Sequence, residues 1–402
     1  MRYFLFFLPA VCFFWCVGKF YALPAVKAWK PFRYVVLINS ILLFGVATYT
    51  TSACWLQRNA VSYKLRILNP DWSNYYIYSY SPKYDHNGGS RRCSIAFDTY
   101  IPRWIDASVC KLWGYRYYIE GLFFCSLMHG LAIMGAMVLI MHLLHLLHAS
   151  DGLKWISLLS LCNPYLLIEC GCPLPMSYVL LVLIGVCWAL TTHFQNFVFN
   201  IIALVALCVV HKSCYVCALV TLCFYCFFRF RLRWLWIVLI GACYPLITKI
   251  VSVLYWYATC WDQKIYNGSY IPMVPLYQRL LNPIFAPFCC NGSLIFFKAP
   301  LKTYASFILN SVYNLLWIGF VCAVVVQLKH VRLFSKEHKK QVFILLDMLA
   351  ILIACISKTL NTTYILHYMQ SEVAFLFLFV LALLQKPQNS AENIPEESIK
   401  EQ

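Results

Sequence analysis

The chain has 402 residues, 62% of them hydrophobic and 12% charged, with a formal net charge of +17. A soluble domain is near half apolar and about a quarter charged, so this composition, with a mean hydropathy of +0.69, excludes an ordinary soluble globular fold. No stretch alternates apolar and polar at every second residue, which excludes a transmembrane β-barrel.

Apolar runs recur along the chain at 4–26, 34–55, 119–147, 155–170, 174–190, 197–210, 214–228, 234–257, 305–328, 342–357 and 364–384. Each reads as a helix crossing ~30 Å of hydrocarbon, the two between 197 and 228 being short for that task. The expected fold is all-α: a polytopic helical membrane protein with about eleven transmembrane helices and two long outer-side loops, 56–118 and 258–304. Residues 1–384 form the integral membrane domain, and the acidic tail 385–402 reads as a disordered cytoplasmic end. The first run, "RYFLFFLPAVCFFWCVGKF", has one basic residue ahead of it and no small-x-small site before Lys19, so it reads as a retained span. No internal repeat is visible.

The basic residues do not form a nucleic-acid-binding face. They fall in the short loops "KAWKPFR" (27–33), "RFRLR" (229–233) and "KHVRLFSKEHKK" (329–340), and every second loop is basic. This is the positive-inside pattern. It places those loops and the C-terminus in the cytoplasm, and segments 56–118, 258–304 and 358–363 outside. The sequons at Asn267, Asn291 and Asn361 all fall on the outer side. Most of the 21 cysteines lie inside spans, where a thiol behaves as a small apolar group. Cys93, Cys110, Cys260, Cys289 and Cys290 are outside and open to oxidation, a Cys93–Cys110 bridge being one pairing available to them. The proline-aromatic stretch 269–288 fits short interfacial helices or ordered coil.

The stretch "RILNPDWSNYYIYSYSPKYDHN" (66–87) carries two aspartates, a run of tyrosines and several basic residues without apolar periodicity. Asp71, soon after the second span, is a candidate general base, with Asp85, Asp98 and Asp106 as rivals in the same loop. A solvated loop carboxylate or a helix cap is the plain role for any one of them. Arginines in this loop, among them Arg66, Arg103 and Arg116, present a planar fork suited to phosphate oxygens; the plainer role is attraction to anionic lipid headgroups. Most of the tyrosines suit an interfacial aromatic belt.

Glu120, Glu169, Lys249, Asp347 and Glu372 lie in or at the ends of spans. Charge inside hydrocarbon is costly, so each is a functional candidate, the plainer role being an interhelical pair or a side chain snorkelling to the interface. The spacing of His142, His145 and His148 fans over ~120° of a helix, too wide for a metal site built on one helix, and suits interfacial histidines. The two CxxC pairs in "CYVCALVTLCFYC" (214–226) fall on opposite helix faces. No metal site is assigned.

Three stretches resemble the C-type membrane glycosyltransferases, which use polyprenyl-phosphate sugars. "FDTYIPRWIDASVCKLWGYRYYIEGLFFCSLMHG" (97–130) is similar to that family's exit from the first outer loop. "NPYLLIECGCPLPMSYVLLVLIGVCWAL" (163–190) resembles its proline-marked hairpin, and "TTYILHYMQSEVAFLFLFVLALL" (362–384) its last span, entered here through His367-Tyr368. The likeness covers the layout of most of the chain, on loose motifs. Two departures stand: the long loop follows the second span rather than the first, and the paired acidic motif of some members is absent.

The resemblance implies transfer of a sugar from a polyprenyl-phosphate donor to a lipid-linked or glycan acceptor on the outer or lumenal side. Asp71 or Asp85 would be the catalytic base, with Arg66, Arg103, Arg116, Arg279, His367 and Tyr368 binding substrate. No cofactor is implied, although the chemistry leaves room for a divalent metal. The membrane would be a bacterial inner membrane or the endoplasmic reticulum, with membrane lipids and no nucleic acid as partners. An O-antigen-type polysaccharide polymerase or ligase, working through arginines, shares the layout, and a transporter or flippase without chemistry is the remaining alternative.

Overall fold

One proline cuts the first apolar stretch, whereas Pro9 lies inside its helix. Leu23 precedes Pro24, and a residue before proline is driven out of the helical region; accordingly Leu23 is extended, with φ −64° and ψ 143°. Helix α1 therefore stops at Ala22 (Arg2–Ala22) rather than at the expected residue 26. Pro24 then starts the five-residue α2 (Pro24–Ala28) at the first helical position, where its missing N–H costs nothing. Trp29 is again extended, and α3 (Lys30–Leu56) follows.

The computed structural model describes residues 2–56, 118–146, 149–155, 176–210, 214–230, 265–266 and 269–270, with the isolated positions 105, 108, 109, 112 and 241. The remaining helices are α4 (Tyr118–Leu146), α5 (Met176–Thr192), α6 (Phe197–Val210) and α7 (Cys214–Phe230), with a helical turn at 151–155. Among the described residues the one extended element is an antiparallel ladder pairing Ile265 with Tyr270 and Tyr266 with Ser269. It flanks Asn267-Gly268, a dipeptide favoured in two-residue hairpins. Ser269 and Tyr270 are thus strand, not the helix or coil expected there. Three helices, α1, α3 and α4, are long and apolar enough to cross a membrane, while α5 and α6 are apolar but shorter. The spans expected at 155–170, 234–257, 305–328, 342–357 and 364–384, and the tail 385–402, lie outside the described residues except for Trp155 and Gly241.

Helix α4 is the enclosed one: 72% of its membrane-length stretch is buried, against 39% for α3 and 17% for α1. Phe123 on α4 meets Phe6 of α1 at 5.4 Å and Phe44 of α3 at 5.9 Å between ring centroids. Lower down, Phe20 of α1 and Leu181 of α5 both approach Gly135, where a Cβ would stand 3.2 Å from Leu181 Cδ1. These contacts set the directions. α1 runs parallel to α4. So does α5, because Ser177 meets His129 as Leu181 meets Gly135. α3 is antiparallel, with Asn39 at Met137 and Phe44 at Phe123.

The core is apolar, with Phe32, Val36, Leu43 and Ala47 of α3 buried in it, but unlike that of a soluble protein the outer surface is apolar too. On α3 the large residues Tyr34, Leu37, Ile38, Ile41, Leu42 and Tyr49 are exposed, while Asn39, Ser40, Thr50 and Thr51 are buried. Val198, Ile202 and Val205 are likewise exposed on α6, with Asn200 inside. Apolar stripes of this size turned outward suit an apolar surrounding, and small polar residues turned inward are what packed membrane helices use. The hydroxyls are satisfied within their own helices: Thr50 donates to Val46 O at 2.9 Å, Thr51 to Ala47 O at 2.7 Å, and Thr191 to Cys187 O at 2.7 Å. Such back-bonding removes the cost of an unmet hydroxyl in hydrocarbon.

The turn from α5 to α6 is tied down by side chains. Asn196 caps α6 by accepting from Phe199 N at 3.1 Å. Asn200 Nδ2 donates to the carbonyls of His193 at 2.8 Å and Asn196 at 2.9 Å, and Tyr225 of α7 donates to Phe194 O at 2.8 Å. Arg229 Nη2 donates to Gln195 O at 3.1 Å and its Nη1 to Gln195 Oε1.

Candidate functional site

The directions of the helices give the bundle two unlike poles. Lys19, Lys27, Lys30, Arg33, Lys154 and Arg229 are all the lysines and arginines whose side chains are described. All lie at one pole, where α1 and α4 end, α3 begins, and the α5–α6 turn binds Arg229. His142, half-buried, and His145, exposed, sit on the last turns of α4 at this same pole, while His148 lies outside the described residues. At the opposite pole α3 ends at Leu56 and α4 starts at Tyr118.

Toward that opposite pole several polar side chains are buried among the apolar ones. Glu120, in the first turn of α4, is 1% exposed, and the helix N-terminus favours a negative side chain there. Ser126 and His129 follow on the same helix, both buried. His129 Nδ1 hydrogen-bonds Ser177 Oγ near the start of α5, and the Tyr178 ring lies 4.5 Å from the imidazole between centroids. Either group can donate to the other, according to the histidine tautomer. Among the described residues no three His, Cys, Asp or Glu side chains converge as metal ligands. Cys223 is buried and Cys226 half-buried on α7, and neither is in a disulfide.

Of the residues singled out in the sequence, Glu120 is one of these buried polar side chains. Asp71, Asp85, Arg66, Arg103, Arg116, Arg279, His367 and Tyr368 lie outside the described residues, as do Asp98, Asp106, Glu169, Lys249, Asp347 and Glu372. The sequence reading passed over His129 and Ser177. The signal for His129 was present, since an ionisable residue well inside an apolar span marks a site by default. Ser177 carried no such signal, because a serine in an apolar helix is ordinary.

Ser177→Ala removes the hydroxyl that faces a buried imidazole and is expected to destabilise the protein by about 1–3 kcal/mol. Thermal unfolding in detergent reads this as a lowered midpoint, and an unchanged midpoint would show that the pair holds nothing together.

The chain matches no protein-family model, no curated protein and no solved structure.

Proposed function

We propose that this chain is a multi-pass membrane glycosyltransferase that takes a sugar from a polyprenyl-phosphate donor and passes it to an acceptor hydroxyl on the outer or lumenal face. The observation that carries this reading is the sorting of charge between the two poles. The lysines and arginines whose side chains are described gather at one pole, which the positive-inside rule assigns to the cytoplasm. The chain leaves α3 at Leu56 and re-enters α4 at Tyr118 at the other pole, which supports an outward-facing segment 56–118. That segment carries Asp71 and the arginines suited to phosphate, and the buried polar side chains of α4 and α5 lie on its side. Asp71, or Asp85 in its place, removes the acceptor's proton, and Arg66, Arg103, Arg116 and Arg279 offset the charge of the departing phosphate. The remaining spans complete a bundle of about eleven helices whose tail 385–402 is cytoplasmic.

The test is topological before it is enzymatic. Single cysteines introduced in 56–118 and in 258–304, probed in sealed vesicles with an impermeant thiol reagent, are expected to label from one face. Cysteines in 329–340 should label from the other. If the two long segments label from opposite faces, the sugar-transfer reading is lost, because no shared pocket can then form.

A further inference from the structure

The basic pole contains a second arrangement, unrelated to sugar transfer. At the elbow between α1 and α3, Lys27 and Lys30 are exposed beside the half-buried Arg33. Arg33 Nη2 donates to Lys27 O at 3.2 Å, and the guanidinium stands 6.0 Å from the Tyr21 ring centroid. The segment 149–155 closes one side, with Trp155 5.2 Å from Trp29 between centroids and Lys154 Nζ 5.9 Å from the Trp29 centroid. Among the described residues the one carboxylate at this pole is Asp151, and Lys154 already pairs with it at 3.0 Å. Lys27, Lys30 and Arg33 therefore face their surroundings with no anionic partner among the described residues.

These cations sit directly above apolar surface. Tyr34, Leu37, Ile38 and Ile41 continue down the exposed face of α3, and Phe14 and Trp15 are exposed on α1. A Cβ added at Gly18 would meet nothing within 4 Å, so the α1 surface is open there. We propose that this elbow binds one phospholipid with a net negative headgroup: its phosphate is held by Lys27, Lys30 and Arg33, and its acyl chains lie along α1 and α3. Charge complementarity selects an anion. The exposed aliphatic stripe running on from the cations selects a lipid over a free phosphate, which would gain nothing from that stripe. Arginine supplies a two-pronged contact to phosphate oxygens, the lysines supply point charges, and Trp29 and Trp155 suit the headgroup level.

The full chain, purified in detergent, is titrated with phosphatidylglycerol, phosphatidylcholine or inorganic phosphate, and retention is read by native mass spectrometry beside the thermal midpoint. Phosphatidylglycerol should be retained one to one and raise the midpoint, with phosphatidylcholine and phosphate doing neither. Neutralising each cation should weaken retention about fivefold, so Lys27→Gln/Lys30→Gln/Arg33→Gln loses the preference while Arg229→Gln keeps it. Equal retention of the two lipids by the wild type overturns the proposal, as does phosphate matching the lipid's stabilisation. A preference that survives in the triple variant also overturns it. Should the triple variant fail to fold, the exposed single changes Lys27→Gln and Lys30→Gln decide: an unchanged preference in both refutes the site.

Discussion

Asp71→Asn is expected to lower sugar transfer by about 10²–10⁴-fold, the contribution typical of a positioned general base. That corresponds to about 3–5 kcal/mol of barrier. The amide keeps the size of the carboxyl but cannot take the acceptor's proton, so the loss should appear in turnover while the thermal midpoint stays in place. The measurement is transfer from a radiolabelled polyprenyl-phosphate hexose in reconstituted vesicles, with Arg103→Lys as the companion variant. Lysine keeps the positive charge, so a base-driven mechanism tolerates that exchange. If Asp71→Asn remains active and Arg103→Lys is dead, the chemistry lies with the arginines, as in a polysaccharide polymerase or ligase. If neither change alters a substrate uptake that yields no product, the chain is a transporter.

The second large effect is one of stability. Tyr225 is wholly buried, its hydroxyl donates to Phe194 O at 2.8 Å, and its ring stacks on Phe197 at 6.1 Å with a 16° interplanar angle. It also meets Phe194 edge-on at 5.2 Å. Tyr225→Ala removes the packing and the bond together, and a buried aromatic truncated in this way typically costs about 3–5 kcal/mol. Tyr225→Phe keeps the ring and loses only the hydroxyl, for about 0.5–1.5 kcal/mol. Unfolding in detergent should rank them in that order. Because Asn200 Nδ2 also lies 3.2 Å from the Tyr225 hydroxyl, Asn200→Ala combined with Tyr225→Phe should cost less than the sum of the two. A strictly additive pair would mean that the contact between Asn200 and Tyr225 contributes nothing of its own.

Much of the helical pattern was legible in the chain itself. Helix α6 occupies the residues of its apolar run, Phe197–Val210, and α7 begins where its run begins, at Cys214. The main discrepancy traces to proline: α1 stops short because Pro24 expels Leu23 from the helix. The candidate site was legible only in part. Glu120 announced itself as a carboxylate at the head of an apolar span, whereas Ser177 became interesting only once it was found against His129.

By itself, then, the order of residues determined which segments are apolar, where prolines interrupt them and at which ends the cations collect. Each of these depends on neighbours a few positions away. The tertiary structure alone decided that α4 is the enclosed helix, that α5 lies parallel to it, and that polar groups turn inward on α3. Those outcomes rest on contacts between residues far apart in the chain, such as His129 and Ser177, and local propensity carries no information about which distant faces will meet.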